Sequence, residues 1–453
     1  MLICPLDYRY GKKEMKAVFS EENRLRSQLL VEAALARAHA AVGNIPDDAA
    51  EIITEKCSPE HVKLERVKEI EAETKHDVMA MVNAISEQCG DAGRYVHLGA
   101  TSNDIVDTAA ALEFKAALDM IEEDLDKFII TLCALAARHR DTVMMGRTHG
   151  QFAIPTTFGF KVSGYVMEML RHRDRLREAR PRICVGKMSG AIGTGAGFGD
   201  KFFRIQQLVM QDLGLGVEEA ATQIVGRDRY AELVFLLSII ATSCERYATE
   251  VRNLQRSEIA EVAEAFDAKK QVGSSTMAQK RNPMLSENVC GLARIVRAYL
   301  DPQLECMVLW HERDLTNSSA ERFILPHAAV LTDDILSKMN DVFAHLTVNE
   351  ANMLRNIDSA GGFIMAESVL LALASKGMGR QEAHELVRKV SRKAEDEGKD
   401  LKEALKANRA VSKLLKGKEL DMVMDPTNYV GQAPEMVDRT VAYAEATLGR
   451  KII

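Results

Sequence analysis

The chain has 453 residues, 47% hydrophobic, 28% charged and only 5% aromatic. A chain of this size and apolar content buries roughly three quarters of its unfolded surface over about two to four structural units, which excludes a disordered or fibrous protein. Lysine and arginine number 59 against 66 aspartates and glutamates, and the net charge of -7 argues against a general nucleic-acid coat while leaving room for a local basic pocket.

The 10 prolines leave long gaps, with none between Pro59 and Pro155, Pro181 and Pro283, or Pro326 and Pro426. Stretches of roughly a hundred residues without the strongest helix breaker, rich in Ala, Leu, Glu, Lys and Met, favour helices over sheets. Cys4, Cys57, Cys89, Cys133, Cys184, Cys244, Cys290 and Cys306 are scattered, with neither disulfide-framework nor metal-ligand spacing, and read as small apolar residues in a reducing compartment. No basic region followed by an apolar run opens the chain, and the most apolar segment, Ala231 to Cys244, is too short to span a bilayer. A soluble cytoplasmic protein is expected.

In chain order, Ser20 is a candidate cap for an amphipathic helix with Leu25, Leu29, Leu35 and Ala36 on its apolar face. Pro59 suits the first turn of a second helix, and a small helical domain closes near Arg94-Tyr95. From Asp104 a long helical run reaches His139, after which RDTVMMGRTHGQFAIPTT reads as a polar loop. Further long runs fit 156–181, 227–256, 284–309 and 321–348, lengths that imply a bundle or an oligomeric helical core. The six glycines from Gly186 through Gly199 make a turning connection; without a βαβ context they are no dinucleotide fingerprint. From Leu346 shorter helices follow, with a Lys-rich one around 387–417 and a last one in APEMVDRTVAYAEATLG. The expected fold is all-α in three domains, 1–95, 96–345 and 346–453.

Four polar stretches border the predicted long helices: YVHLGATSNDIVDTA, MGRTHGQFAIPTT, TQIVGRDR and QVGSSTMAQKRNPMLSE. The last combines an adaptable Gly-Ser-Ser backbone, hydroxyls, the Lys280 cation and the Asn282 amide ahead of Pro283, features that suit carboxylate binding. An ordinary Gly/Ser loop before a capped helix uses the same residues.

The full GSSTMAQKRNP segment resembles the signature of the fumarase/aspartase superfamily. Within it the chain is most similar to the adenylosuccinate lyases, through DYRYGKKEMKAVFSEEN, TKHDVMA, YVHLGATSNDIVDTA, GRTHGQFAIPTTFGFK, TQIVGRD, the serine loop and LWHERDLTNSSAERFILP in their usual order over about 320 residues. The resemblance implies a three-domain fumarase/aspartase-like fold, a homotetramer with sites shared between subunits, no cofactor and no metal. It implies elimination of fumarate from adenylosuccinate, giving AMP, and from SAICAR, giving AICAR. Partners would be the succinylated nucleotide and other copies of the chain, with no nucleic acid and no membrane.

Matched motif by motif, Ser274 or Ser275 is the base, with Ser275 preferred, His149 the general acid and His76 its supporting partner. Lys280 and Asn282 would stabilise the carboxylate, and His97 would lie on the phosphate or carboxylate side. Arg9 and Tyr10 resemble the pair that contacts the nucleotide, Thr101 and Ser102 carboxylate-binding hydroxyls, and Gln223 a contact to the succinyl or nucleotide portion. Arg313, Ser318 and Arg322 correspond to anchors for phosphate, which guanidinium groups hold through charge-assisted bonds. The bland alternatives are satisfied structural histidines at His76 or His97 and helix capping at Thr101 and Ser102. The sequence departs from the pattern at Met277–Lys280, MAQK where MPHK or MPYK is frequent, and at Phe152, where a histidine is frequent. Ala278 removes a proline restraint, and Gln279 and Phe152 change the polar options. Carboxymuconate cycloisomerisation, another succinyl-compound lyase activity and a noncatalytic helical scaffold are the competing readings.

Overall fold

The structure, a computed structural model, describes residues 3–266, 276–277 and 279–453. Its contacts divide into two compact units, one of Met1–Leu125, Arg171–Cys244 and Gly291–Ser337, the other of Asp126–Leu170, Glu245–Cys290 and Lys338–Ile453. The predicted helical class holds, with long helices at Ser102–Arg138, Phe158–Ile183, Asp228–Leu254 and Thr316–Ala344. Among the described residues, strands occur only in three two-stranded pairs.

In the first unit, Ser20 caps the Glu21–Ala41 helix by accepting from Asn23 N at 3.2 Å. The predicted apolar face, Leu25, Leu29, Leu35 and Ala36, is buried with Met81, Ile85, Ile105 and Val209. Each such leucine contributes about 1.5–3 kcal/mol by leaving water. Pro59 does not start a helix: it lies in a turn, and the next helix is Leu64–Thr74. The Thr316–Ala344 helix begins five residues earlier than expected because Asp314 Oδ1 accepts from Thr316 N at 2.8 Å, which organises its entry. Pro326 is carried inside it. The expected 284–309 run is broken into Met284–Ala298 and Leu300–Glu305. Pro302 has no N–H to give to the carbonyl of Ala298, so the first helix stops there.

In the second unit, Phe128, Tyr165, Tyr247 and Phe343 form an aromatic cluster, with Tyr165 and Tyr247 stacked at 4.1 Å between centroids. The stretch expected as a polar loop is an antiparallel hairpin, Val143–Thr148 with Gln151–Thr157. Gly146 and Pro155 read as breakers in the sequence, but in a pair with two free edges a proline forfeits no ladder bond on its outer side. The Lys-rich run is three helices, Arg380–Asp396, Leu401–Ala407 and Arg409–Leu414. Gly398, at φ +63°, ends the first, and Asp400 and Asn408 cap the others.

Among the described residues no disulfide joins any of the eight cysteines, seven of which are buried. Among the described residues, no single helix is long and apolar enough to cross a membrane.

Candidate active site

The first unit gathers several predicted binding residues around the start of the Ser102–Arg138 helix. Asp104 and Thr101 cap it reciprocally: Thr101 N donates to Asp104 Oδ2 at 2.8 Å and Asp104 N to the Thr101 carbonyl at 2.9 Å. The other Asp104 oxygen accepts from Lys187 Nζ at 2.6 Å and Ser189 N at 2.9 Å, and Gly190 N also reaches the carboxylate. This ties the glycine-rich segment to the helix start. Gly99, at φ +74°, lies so close that a Cβ there would stand 2.8 Å from the Gly197 carbonyl oxygen. Only glycine fits.

One turn further on, Asp107 receives both Nη atoms of Arg227 at 2.8 and 3.0 Å and the backbone N–H of Val225. Arg227 Nε continues to Glu321, whose second oxygen accepts from Asn317. Burial works against ionisation of Asp107, but the Arg227 charge and hydrogen bonds outweigh it and its pKa falls; at Glu321 burial wins and the pKa rises. The paired cation is thus fully engaged inside the protein.

Arg313 differs. Its Nη1 donates to two neutral amide oxygens, Asn103 Oδ1 at 2.5 Å and Gln223 Oε1 at 3.2 Å, and its buried Nε has no hydrogen-bond partner among the described residues. Burial pulls its pKa below the usual arginine value. A guanidinium supported by amides rather than neutralised by a carboxylate suits an incoming anion. Ser318 and Arg322 line the same cleft as Arg313, Asn103, Asp77 and Glu113. They are four residues apart on one helix face, as expected. Arg322 Nη2 is 3.8 Å from Asp77 Oδ2, with both side chains mostly exposed, so that pair is weak.

His76 caps the Asp77–Cys89 helix, its Nδ1 accepting from Met79 N at 3.2 Å. His97 takes positive φ and its Nδ1 is 2.6 Å from Glu32 Oε1. Burial opposes its protonation, yet the hydrogen bond and charge of Glu32 prevail and raise its pKa. Ser102 opens its helix, while Arg9 is exposed and Tyr10 half-buried.

In the second unit, His149 and Gly150 form the hairpin turn, with φ of +56° and +75°. Both central residues at positive φ match a type I′ turn, which suits the twist of the flanking strands. The tip from Thr148 to Phe152 is exposed. Lys280 is exposed and Asn282 half-buried just before the Met284–Ala298 helix. Ser274, Ser275 and Ala278 lie outside the described residues. Among the described residues, Gln255 links Glu264 to Arg281: its Oε1 accepts from Glu264 N at 3.0 Å and its Nε2 donates to the Arg281 carbonyl at 3.2 Å. Glu264 then caps the following helix through Leu285 N and Ser286 N at 3.1 and 2.7 Å.

The chain matches a family model described as "Lyase" over residues 8–298 and one described as "Adenylosuccinate lyase C-terminus" over 362–440. It is 53% identical to the adenylosuccinate lyase of Pyrococcus abyssi over 98% of each chain, and 48% identical to that of Methanocaldococcus jannaschii over 97% of this chain and 96% of the relative. The chain belongs to the adenylosuccinate lyase family. Among solved structures, the 3-carboxy-cis,cis-muconate lactonizing enzyme of Pseudomonas putida is 34% identical with a TM-score of 0.89, covering 98% of this chain and 99% of that one. A fumarate lyase from Mesorhizobium sp. BNC1 is also 34% identical, with a TM-score of 0.88, covering 95% and 97%. As a member of the adenylosuccinate lyase family the chain is an enzyme of the lyase class.

In this adenylosuccinate lyase family member, sequence reasoning missed Asn103, Asp104, Asp107, Lys187, Gln255 and Glu264. Asp104 had a signal, since Thr-x-x-Asp before an apolar run is close to a capping box. Lys187 had none, because a lysine among glycines reads as surface.

Proposed function

We propose that the chain eliminates fumarate from adenylosuccinate, releasing AMP, and from SAICAR, releasing AICAR, in purine biosynthesis. The observation that carries this reading is Arg313, a half-buried cation braced by Asn103 and Gln223 in the cleft of Ser318 and Arg322, within a chain of this family. Such a cleft offers an anionic nucleotide several guanidinium donors.

In the reaction, a base takes the proton on the succinyl Cβ and that C–H electron pair becomes the C=C bond of fumarate. The C–N bond breaks, its pair goes to the purine nitrogen or the carboxamide nitrogen of AICAR, and an acid returns a proton there. Ser275, or Ser274, is the base of this scheme and His149 the acid, with His76 in support. Lys280 and Asn282 hold the carboxylate on which charge develops, so that the transition state gains more than the ground state. A serine base needs nearby cations and a dry site, whereas histidine donates at neutral pH without a large shift. Thr101, Ser102 and Gln223 bind the succinyl end, His97 the carboxylate or phosphate side, and Arg9, Tyr10, Ser318 and Arg322 the nucleotide.

The reading includes a cytoplasmic homotetramer of three-domain subunits, 1–95, 96–345 and 346–453, whose sites combine loops from several subunits, without cofactor, metal, nucleic acid or membrane. Exposed apolar side chains such as Phe160, Phe235, Leu304 and Phe323 support coverage by other copies. Purified protein incubated separately with each nucleotide is expected to release fumarate, followed by mass spectrometry; an assembled protein that yields none from either overturns the proposal. Carboxymuconate cycloisomerisation is the second reading, favoured by the likeness to the Pseudomonas putida enzyme, and is opposed by the C-terminal family match. Carboxymuconate turnover without nucleotide cleavage would favour it.

A further inference from the structure

We infer that Arg147 and Glu261 are positioning residues that fix the hairpin turn carrying His149, and that this ion pair sets the acid's geometry. The inference rests on the reading of His149 as general acid.

The hairpin alone does not determine where its tip points. Its register pairs Met145 with Pro155, Arg147 with Phe152 and Thr148 with Gln151, and shifts between Met145 and Arg147. Gly146 sits at that irregularity, where a Cβ would lie 2.4 Å from the Ile154 carbonyl oxygen. A bulge bends the strand and increases its twist, so it re-aims everything beyond it. Beyond it come only Arg147, Thr148 and the turn. His149 also holds a positive φ that β-carbon sterics disfavour, a conformation that persists when its surroundings enforce it.

Arg147 is the side chain past the bulge that reaches a rigid partner. Its Nη1 donates to Glu261 Oε2 at 2.9 Å and its Nη2 to Glu261 Oε1 at 2.7 Å. This fork fixes direction as well as distance. Glu261 is wholly buried and held on every side: Asn356 Nδ2 donates to Oε1 at 2.7 Å, its own N–H donates to the Leu254 carbonyl, and its carbonyl accepts from Asn349 N. The next residues, Val262–Ala263, pair with Thr347–Val348. Arg147 also sets its guanidinium 5.7 Å from the Phe152 ring across the hairpin, joining both strands at the base of the turn. His149 therefore lies two residues from a bidentate bond to a side chain with no freedom of its own. A displacement near 1 Å at an acid costs about a hundredfold in rate.

The test compares Arg147→Gln, Arg147→Lys and Glu261→Gln with wild type and His149→Gln, all purified as the assembled protein, with kcat and KM for adenylosuccinate measured across pH. Arg147→Gln and Glu261→Gln are expected to lower kcat about 10- to 100-fold with KM changed less than threefold, and to move the limb of the kcat profile that belongs to the acid. Arg147→Lys keeps the charge but loses the fork and is expected to recover only part of the rate. Wild-type kcat and an unmoved profile in Glu261→Gln or Arg147→Lys overturn the inference, and so does a loss that tracks only the fraction of folded protein. Should Arg147→Gln fail to fold, those two variants decide. A wild-type protein without turnover, or His149→Gln at full rate, instead overturns the function and acid assignment on which it rests.

Discussion

Lys187 and Asp104 form an ion pair with neither side chain exposed, Nζ to Oδ1 at 2.6 Å, and each is further hydrogen-bonded, Lys187 to the Gly190 carbonyl and Asp104 to backbone N–H groups. Two charges taken out of water are costly unless every remaining donor and acceptor is met, and here the glycine-rich turn supplies the missing bonds. Lys187→Met leaves the Asp104 carboxylate buried without its cation. We expect a loss of about 3–5 kcal/mol, measured by urea denaturation. A change under about 1 kcal/mol would show that the backbone N–H groups alone compensate Asp104.

Glu113 predicts a pH dependence of stability. Among the described residues its Oε1 has no hydrogen-bond partner, and burial pushes its pKa up to about 7 from 4.5, against a smaller lowering by Arg24. The folded state therefore holds this proton in a range where the unfolded chain has lost it. Stability from this group is complete below about pH 4.5 and is lost as pH rises through 7. Glu113→Gln should flatten that decline, stabilising the protein on the order of 2–3 kcal/mol at pH 8 and far less at pH 5. Thermal unfolding at the two pH values decides it; equal shifts at both would contradict the titration.

Lys12 draws a second expectation from buried carboxylates. Its Nζ lies 2.5 Å from Asp124 Oδ2 and 3.1 Å from Asp333 Oδ1. Burial, with Asp124 beside it, raises Asp333 to about 7 despite Lys12. Removing the cation in Lys12→Met should raise that value further, so the destabilisation, about 2–3 kcal/mol at pH 8, shrinks towards pH 5. Denaturant midpoints at both pH values test this, and a loss independent of pH would assign Lys12 a packing role only.

Arg313→Gln addresses the cleft. Replacing a cation that rests on two amides removes a charge-assisted bond to the anion while leaving the Asp107–Arg227–Glu321 network intact. KM for the nucleotide should rise at least about tenfold, with the melting temperature near wild type. Unchanged KM would remove Arg313 from substrate binding.

The helices were readable in sequence because their signals are local: the Ser20 cap, the spacing of Leu25 and Leu29, and the gaps between prolines all act within a few turns. The hairpin was not, since a strand pair depends on which residues face each other, and Gly146 and Pro155 conceal it. The same distinction governs the site. Arg313, Ser318 and Arg322 were legible as a motif, and two of them share a helix face. Their supports, Asn103 and Gln223, are far away in sequence, and Lys187 becomes meaningful only beside Asp104. Motifs name residues; folding distance decides their company.

The cysteines carry a practical consequence. Burial raises Cys133 to about 12 and Cys306 to about 11, and Cys57, Cys89 and Cys184 also move upward, so these thiols resist alkylation while the chain is folded. Cys4 alone among the eight is half-exposed. The native protein thus offers a ready attachment point for one fluorophore, five residues from Arg9, through which nucleotide arrival could be watched in the unaltered sequence.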